Sequence, residues 1–139
     1  MKKSSYTLLI TSILMIIVNP ILIFFTNTLV LMGTGSSIST ATIINIVLNA
    51  FFIGIFLSLI SGILGILAFR KPKRVNACLI IGSIHLAYNT IQLIEFTLVG
   101  APDLALFCFI LTSVIPFLYV ILAYLFKKNS KQESIEELN

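Results

Sequence analysis

The stretch ILAFRKPKRVNACLII, residues 66–81, decides the fold because a short basic turn separates two long apolar runs. The cations of this turn are Arg70, Lys71, Lys73 and Arg74. On both sides, mostly apolar residues continue for the roughly 20 positions that a membrane-spanning helix needs. The stretch therefore predicts two antiparallel spanning helices joined by a charged turn at one membrane surface.

Four apolar segments of this kind occupy most of the chain. Of the 139 residues, 58% are hydrophobic and 10% are charged, and the mean hydropathy is +1.11. This composition excludes an ordinary soluble domain, which needs more polar surface. The sequence predicts an all-α fold, in which residues 1–126 form an antiparallel bundle of four transmembrane helices and residues 127–139 form a short, frayed polar tail. The predicted spans are residues 6–32, 43–69, 77–99 and 104–126.

All nine Lys and Arg residues lie on the same side of this predicted bundle. They form the basic turn and two further clusters: Lys2 and Lys3, and Lys127, Lys128 and Lys131. The positive-inside rule makes that side cytoplasmic, so we predict a multi-pass protein of the cell membrane with both termini in the cytoplasm. Short clusters beside apolar runs do not make a nucleic-acid-binding face. The lipid bilayer, and not nucleic acid, is the expected environment.

Helix three carries a group of polar side chains inside an otherwise apolar span: His85, Tyr88, Asn89, Gln92 and Glu95. At about 100° per residue, all five fall within an arc of about 120°. Lipid would leave these groups without hydrogen bonds, so the arc must face protein or water. Folding the helices back about their turns places Asn45 and Asn49 of helix two close to the level of Glu95. We expect a polar stripe that these residues join and that is widest towards the outer half.

The chemistry of this stripe has two open interpretations. His85 is either a proton relay or pH switch, since its reference pKa of about 6.5 lies near working pH, or a neutral histidine bonded across helices. Glu95 either handles a cation or a proton or is a carboxylate near the membrane interface. The two residues lie about 15 Å apart along the helix axis, which is too far for an acid–base pair. No catalytic, cofactor-binding or metal-binding motif occurs, so we predict that the protein is not an enzyme.

Helix two presents small residues on one face of its inner half: Gly54, Ser58, Gly62 and Gly65. Small residues four apart let another backbone approach closely, so we predict a packing surface, with Gly82 of helix three as the facing position. A seam between two copies of the chain is the alternative. The pair Asn19-Pro20 in helix one and Pro116 in helix four predict bends near mid-membrane, which are either packing kinks or the opening of an outward vestibule.

The stretch SLISGILGILAFRKPKRVNACLIIGSIHL at residues 58–86, with the ending YLFKK at 124–128, resembles small uncharacterised bacterial four-helix membrane proteins. The shared pattern is a GILGI segment, a basic turn and an LIIG segment. The resemblance implies the four-helix membrane fold and brings no known catalytic residues. Some proteins of this kind are immunity or accessory proteins for membrane-active bacteriocins and toxins.

The sequence favours a non-enzymatic integral membrane protein that acts through contacts inside the membrane, in an accessory, regulatory or immunity role. Its partner is then a second copy of the chain or another membrane protein. The alternative is a small transporter or channel that uses the polar stripe of helix three. Because four helices usually need an oligomer to enclose a path, this alternative also requires self-association.

Overall fold

The computed structural model describes residues 2–33, 39–98 and 100–136. Its four helices are α1 (Lys2–Gly33), α2 (Thr40–Arg70), α3 (Val75–Leu98) and α4 (Asp103–Glu136), and a short 3-10 turn, Pro72–Arg74, joins α2 to α3. The segments long and apolar enough to cross a membrane are Tyr6–Gly33, Ile43–Arg70, Val75–Leu98 and Asp103–Ser130. The predicted all-α fold with four long apolar helices is confirmed, and the protein is a multi-pass membrane protein.

The end of α4 differs from the sequence prediction. We expected a frayed tail after residue 126, whereas the helix continues without a break to Glu136. An existing helix extends without the cost of a new nucleus. Lys, Gln and Glu, which are frequent in this segment, also have good helix propensity.

The four helices form a closed ring in which each packs against its neighbours in sequence and α1 packs against α4. We call the end that holds the 3-10 turn the basic end and the other the Gly100 end. At the latter, Gly100 has a φ of +69°, which glycine adopts without strain. Its N–H donates to the Thr97 carbonyl oxygen at 3.2 Å, and the Ala101 N–H donates to the Phe96 carbonyl oxygen at 3.0 Å. These two bonds form a Schellman motif that ends α3.

The buried positions of α3 recur at alternating intervals of three and four residues: Val75, Cys78, Gly82, His85, Asn89, Gln92 and Phe96. α4 repeats the pattern from the other end with Ala105, Phe109, Thr112, Pro116, Tyr119, Ala123 and Phe126. An interval that averages 3.5 residues is typical of bundles whose helices cross at about 20°. The seven layers span about 30 Å at 1.5 Å per residue, which matches the hydrocarbon thickness of a bilayer.

Apolar side chains fill the two ends of this core. The basic-end cluster is Leu8, Met15, Ala68, Val75, Cys78, Tyr119, Ala123 and Phe126. The Gly100-end cluster is Val30, Ile43, Val47, Ala50, Phe96, Ala101, Ala105 and Phe109. We expected polarity to increase towards the outer end, but the core there is closed by apolar residues, and the buried polar groups lie mainly between the two clusters.

The small residues of α2 face α1. A Cβ atom built on Gly62 would lie 2.7 Å from the Ser12 carbonyl oxygen, and one on Gly54 would lie 3.3 Å from Ile23 Cδ1. Gly82 of α3 does not face these small residues, contrary to our expectation. A Cβ atom there would lie 3.0 Å from the ring of Tyr119 on α4. The large Tyr119 side chain needs the space that a glycine leaves.

Candidate functional site in the middle of the bundle

One residue from each helix forms a polar layer at the centre of the core. Tyr119 fixes the neighbouring layer, because its ring contacts Gly82 and its hydroxyl donates to the Ser61 carbonyl oxygen at 2.6 Å. One turn closer to the Gly100 end, the next core positions on these three helices are Pro116, His85 and Ser58, and Asn19 of α1 bonds to Ser58. We call Asn19, Ser58, His85 and Pro116 the middle layer, and each is less than 2% exposed.

The middle layer is only partly hydrogen-bonded. Asn19 Nδ2 donates to Ser58 Oγ at 3.0 Å, and Ser58 Oγ donates to the Met15 carbonyl oxygen at 2.5 Å. Among the described residues, neither ring nitrogen of His85 has a hydrogen-bond partner, and Asn19 Oδ1 has none. Pro116 has no N–H for the Thr112 carbonyl, the acceptor one turn earlier in α4. The middle layer therefore contains one neutral hydrogen bond between α1 and α2. Beside it lie groups that could still form hydrogen bonds, the His85 ring nitrogens on α3 and the Thr112 carbonyl on α4.

Two further core positions of α3 extend the polarity towards the Gly100 end. Asn89 and Gln92 are each 4% exposed. Within the part of the chain that the structure describes, Asn89 Nδ2 and Gln92 Oε1 have no hydrogen-bond partner. Asn27 of α1 is also 4% exposed, and its Oδ1 is likewise unbonded. Buried side-chain atoms without a hydrogen-bond partner thus occur in the middle layer and along the next two turns of α3.

The other two members of the polar arc, Tyr88 and Glu95, lie at the seam of α3 with α2. Glu95 is half-buried, and its Oε2 accepts a hydrogen bond from Gln92 Nε2 at 2.7 Å. The Tyr88 hydroxyl donates to the Asn49 backbone carbonyl at 2.8 Å. The arc of five residues therefore divides: His85, Asn89 and Gln92 enter the core, whereas Tyr88 and Glu95 lie along the seam.

Asn45 and Asn49 do not join this stripe through their side chains. Both residues are exposed on the outer surface of α2. Matching residues by depth gave their level but not their rotation about the helix axis. The core-facing positions of this part of α2 are taken by Ile43, Val47 and Ala50. The expected cluster of Asn45 and Asn49 with Glu95 is therefore replaced by a contact between Tyr88 and the backbone of Asn49.

The sequence analysis missed the contribution of α1 and α2 to the middle layer. It treated Asn19 as part of an Asn-Pro kink and Ser58 as a packing residue. The 3.5-residue spacing of core positions was the signal that would have placed Asn19 and Ser58 beside His85. Once one contact fixes the register, that spacing assigns every layer.

The site offers neutral donors and acceptors and holds its one carboxylate, Glu95, at the seam. In the described part of the chain, no group of three or more His, Cys, Asp or Glu residues is arranged to hold a metal ion. Cys78 is buried, Cys108 is half-buried, and both are free thiols. Comparisons with protein-family models, curated proteins and solved structures give no match for this chain.

Proposed function

We propose that this multi-pass membrane protein is non-enzymatic and acts by contacting another membrane protein inside the bilayer, in an accessory, regulatory or immunity role. The supporting observation is the outward-facing pair Asn45 and Asn49 on α2. The two amides lie one turn apart on the exposed surface. Among the described residues, neither side chain forms a hydrogen bond, although the neighbouring Tyr88 bonds to the Asn49 backbone.

The position of Asn49 in the span favours a protein partner. Asn49 lies nine residues from Ser58, so it is about 13–14 Å from the middle layer at 1.5 Å per residue. It therefore falls close to the edge of a hydrocarbon region about 30 Å thick. Asn side chains of spanning helices hydrogen-bond across helix–helix interfaces. Glu95 on the adjacent seam adds an acceptor and favours a partner that presents hydrogen-bond donors.

Site-specific photo-crosslinking in native membranes tests this proposal. A photoreactive amino acid at position 49 is expected to capture a defined protein, identified by mass spectrometry. The matched control is position 110 on α4, because Ile110 is 52% exposed on an apolar surface whose one nearby hydroxyl, on Ser113, donates to the carbonyl oxygen of Phe109 in its own helix. A product of twice the protomer mass identifies a second copy of the chain. Lipid adducts alone at both positions would contradict the proposal.

A second candidate function is transport of protons or small cations, which the middle layer favours. The sequence-based version required an oligomer to enclose a path. The buried positions of His85, Asn89 and Gln92 make the interior of a single bundle the better candidate. Proteoliposomes with an internal pH-sensitive dye are expected to dissipate an imposed proton gradient, and His85→Leu is expected to abolish this. A parent protein that leaves the gradient intact excludes proton transport.

A further inference from the structure

Buried polar atoms without partners are concentrated between the two apolar clusters. Seven buried side-chain atoms of the described residues lack a hydrogen-bond partner, and both nitrogens of His85 are among them. Folded proteins satisfy the large majority of such atoms with protein or ordered water. The concentration of these exceptions in one section of the core points to a binding site for a small hydrogen-bonding molecule.

The spacing of the unbonded atoms on α3 fits single water molecules. Gln92, Asn89 and His85 follow one another at intervals of three and four residues, or about 5–6 Å along the axis. A water molecule that bonds to two groups at about 2.8 Å each spans a similar distance. On α2, the two layers that contain Asn89 and Gln92 hold only Gly54 and Ala50. These layers contain no α2 side chain larger than a methyl group, and Ile23 of α1 packs against Gly54, where its Cδ1 would lie 3.3 Å from an added Cβ atom.

The balance of donors and acceptors identifies the class of ligand. The unbonded acceptors include the side-chain oxygens of Asn19, Asn27 and Gln92, whereas Asn89 Nδ2 is a donor. A neutral imidazole adds one donor and one acceptor. The site must therefore take a neutral molecule that donates and accepts. An anion would meet mostly acceptors, and a cation at His85 would lie about 15 Å along the axis from Glu95.

Within the part of the chain that the structure describes, a polar entrance to this site lies at the Gly100 end. Glu95 is half-buried at the seam of α2 and α3, and its bond to Gln92 links the seam to the core. This route passes beside Phe96, which is fully buried in the Gly100-end cluster. Towards the basic end, the layer next to His85 holds one further unbonded atom, Ser61 Oγ. This layer is closed by Tyr119 against Gly82 and is followed by the basic-end cluster.

We propose that a file of water molecules enters beside Glu95, bonds to Gln92 and Asn89, and ends at His85. In this conformation the imidazole contacts the aqueous phase at the Gly100 end alone, so proton transport would also require the Tyr119 layer to open. Proton exchange at His85 then proceeds from that side of the membrane. The inference holds whether or not the protein acts through a partner.

Solid-state NMR of the full chain in lipid bilayers tests this proposal. His85 is the only histidine in the sequence, so ¹⁵N-labelled histidine gives the signals of one imidazole. The protein is purified through a tag without histidine. Magnetisation transfer from water protons to the imidazole is expected in the parent. It is expected to be lost in Gln92→Leu and weakened in Glu95→Leu.

The matched control is Thr90→Val, because Thr90 is exposed on the opposite face of α3 and donates to its own helix at Leu86. This variant is expected to keep the transfer. A parent protein without water–imidazole transfer overturns the proposal. Equal transfer in Gln92→Leu and Thr90→Val overturns the entry route. The parent measurement needs no substitution, so the proposal remains testable if Gln92→Leu fails to fold.

Discussion

Gly62→Ala is expected to destabilise the bundle, although alanine is the better helix former. The new Cβ atom would lie 2.7 Å from the Ser12 carbonyl oxygen, which is backbone and cannot rotate away. Overpacking of this kind costs about 1–3 kcal/mol. The gain in helix propensity offsets up to about 1 kcal/mol, so we expect a net loss of up to about 2 kcal/mol.

Gly54→Ala is the matched control, because Gly54 lies on the same face of the same helix. Its Cβ atom would lie 3.3 Å from Ile23 Cδ1, the flexible end of a side chain. We expect this variant to melt at or above the temperature of the parent.

The buried thiol of Cys78 provides the assay, since the chain has no Trp and Cys78 is 0% exposed. In a Cys108→Ala background, a thiol-reactive dye reports unfolding as temperature rises. Gly62→Ala should react several degrees earlier than Gly54→Ala. Identical melting of the two variants, or the reverse order, would refute the close approach of α1 and α2 at Gly62.

Three further outcomes are expected. Tyr119→Phe removes a buried bond between α4 and α2 and should lower the free energy of unfolding by about 1 kcal/mol. Thermal circular dichroism measures this loss, because Tyr119 belongs to the same buried cluster as the Cys78 reporter. Glu95→Gln keeps an acceptor for Gln92 and should melt like the parent, whereas Glu95→Leu should lower the free energy of unfolding by about 0.5–1.5 kcal/mol because the half-buried bond disappears. If both variants lose proton transport while Glu95→Gln melts normally, the charge itself is needed. A reporter fused to the C-terminus should be cytosolic, and one inserted in the loop at 33–42 should be external; a cytosolic signal from that loop would contradict the predicted orientation.

The sequence predicted the number and approximate positions of the helices because a spanning helix needs a long apolar run, and such runs are visible without any partner. It located the polar group on α3 for the same reason, since polar residues stand out inside an apolar segment. It did not predict the rotation of α2. Depth arithmetic placed Asn49 near the level of Glu95, but the amide lies on the outer surface, because rotation is determined by which neighbours a helix packs against.

The middle layer also determines how the helices align, because its polar residues, unlike apolar ones, need particular partners. Most apolar core positions are interchangeable in chemistry, so sliding α1 along α2 by one heptad would still pair apolar residues with apolar or small ones. The bond between Asn19 and Ser58 does not survive such a shift. Seven residues away, Asn19 would face Gly65 or Phe51, and neither offers a side-chain hydrogen-bond partner. A buried polar pair of this kind specifies register. The Asn19–Ser58 bond therefore fixes the register of α1 against α2 in the layer of His85 and Pro116. The contact of Tyr119 with Gly82 and its bond to Ser61 fix the register of α4 against α3 and α2 one layer away.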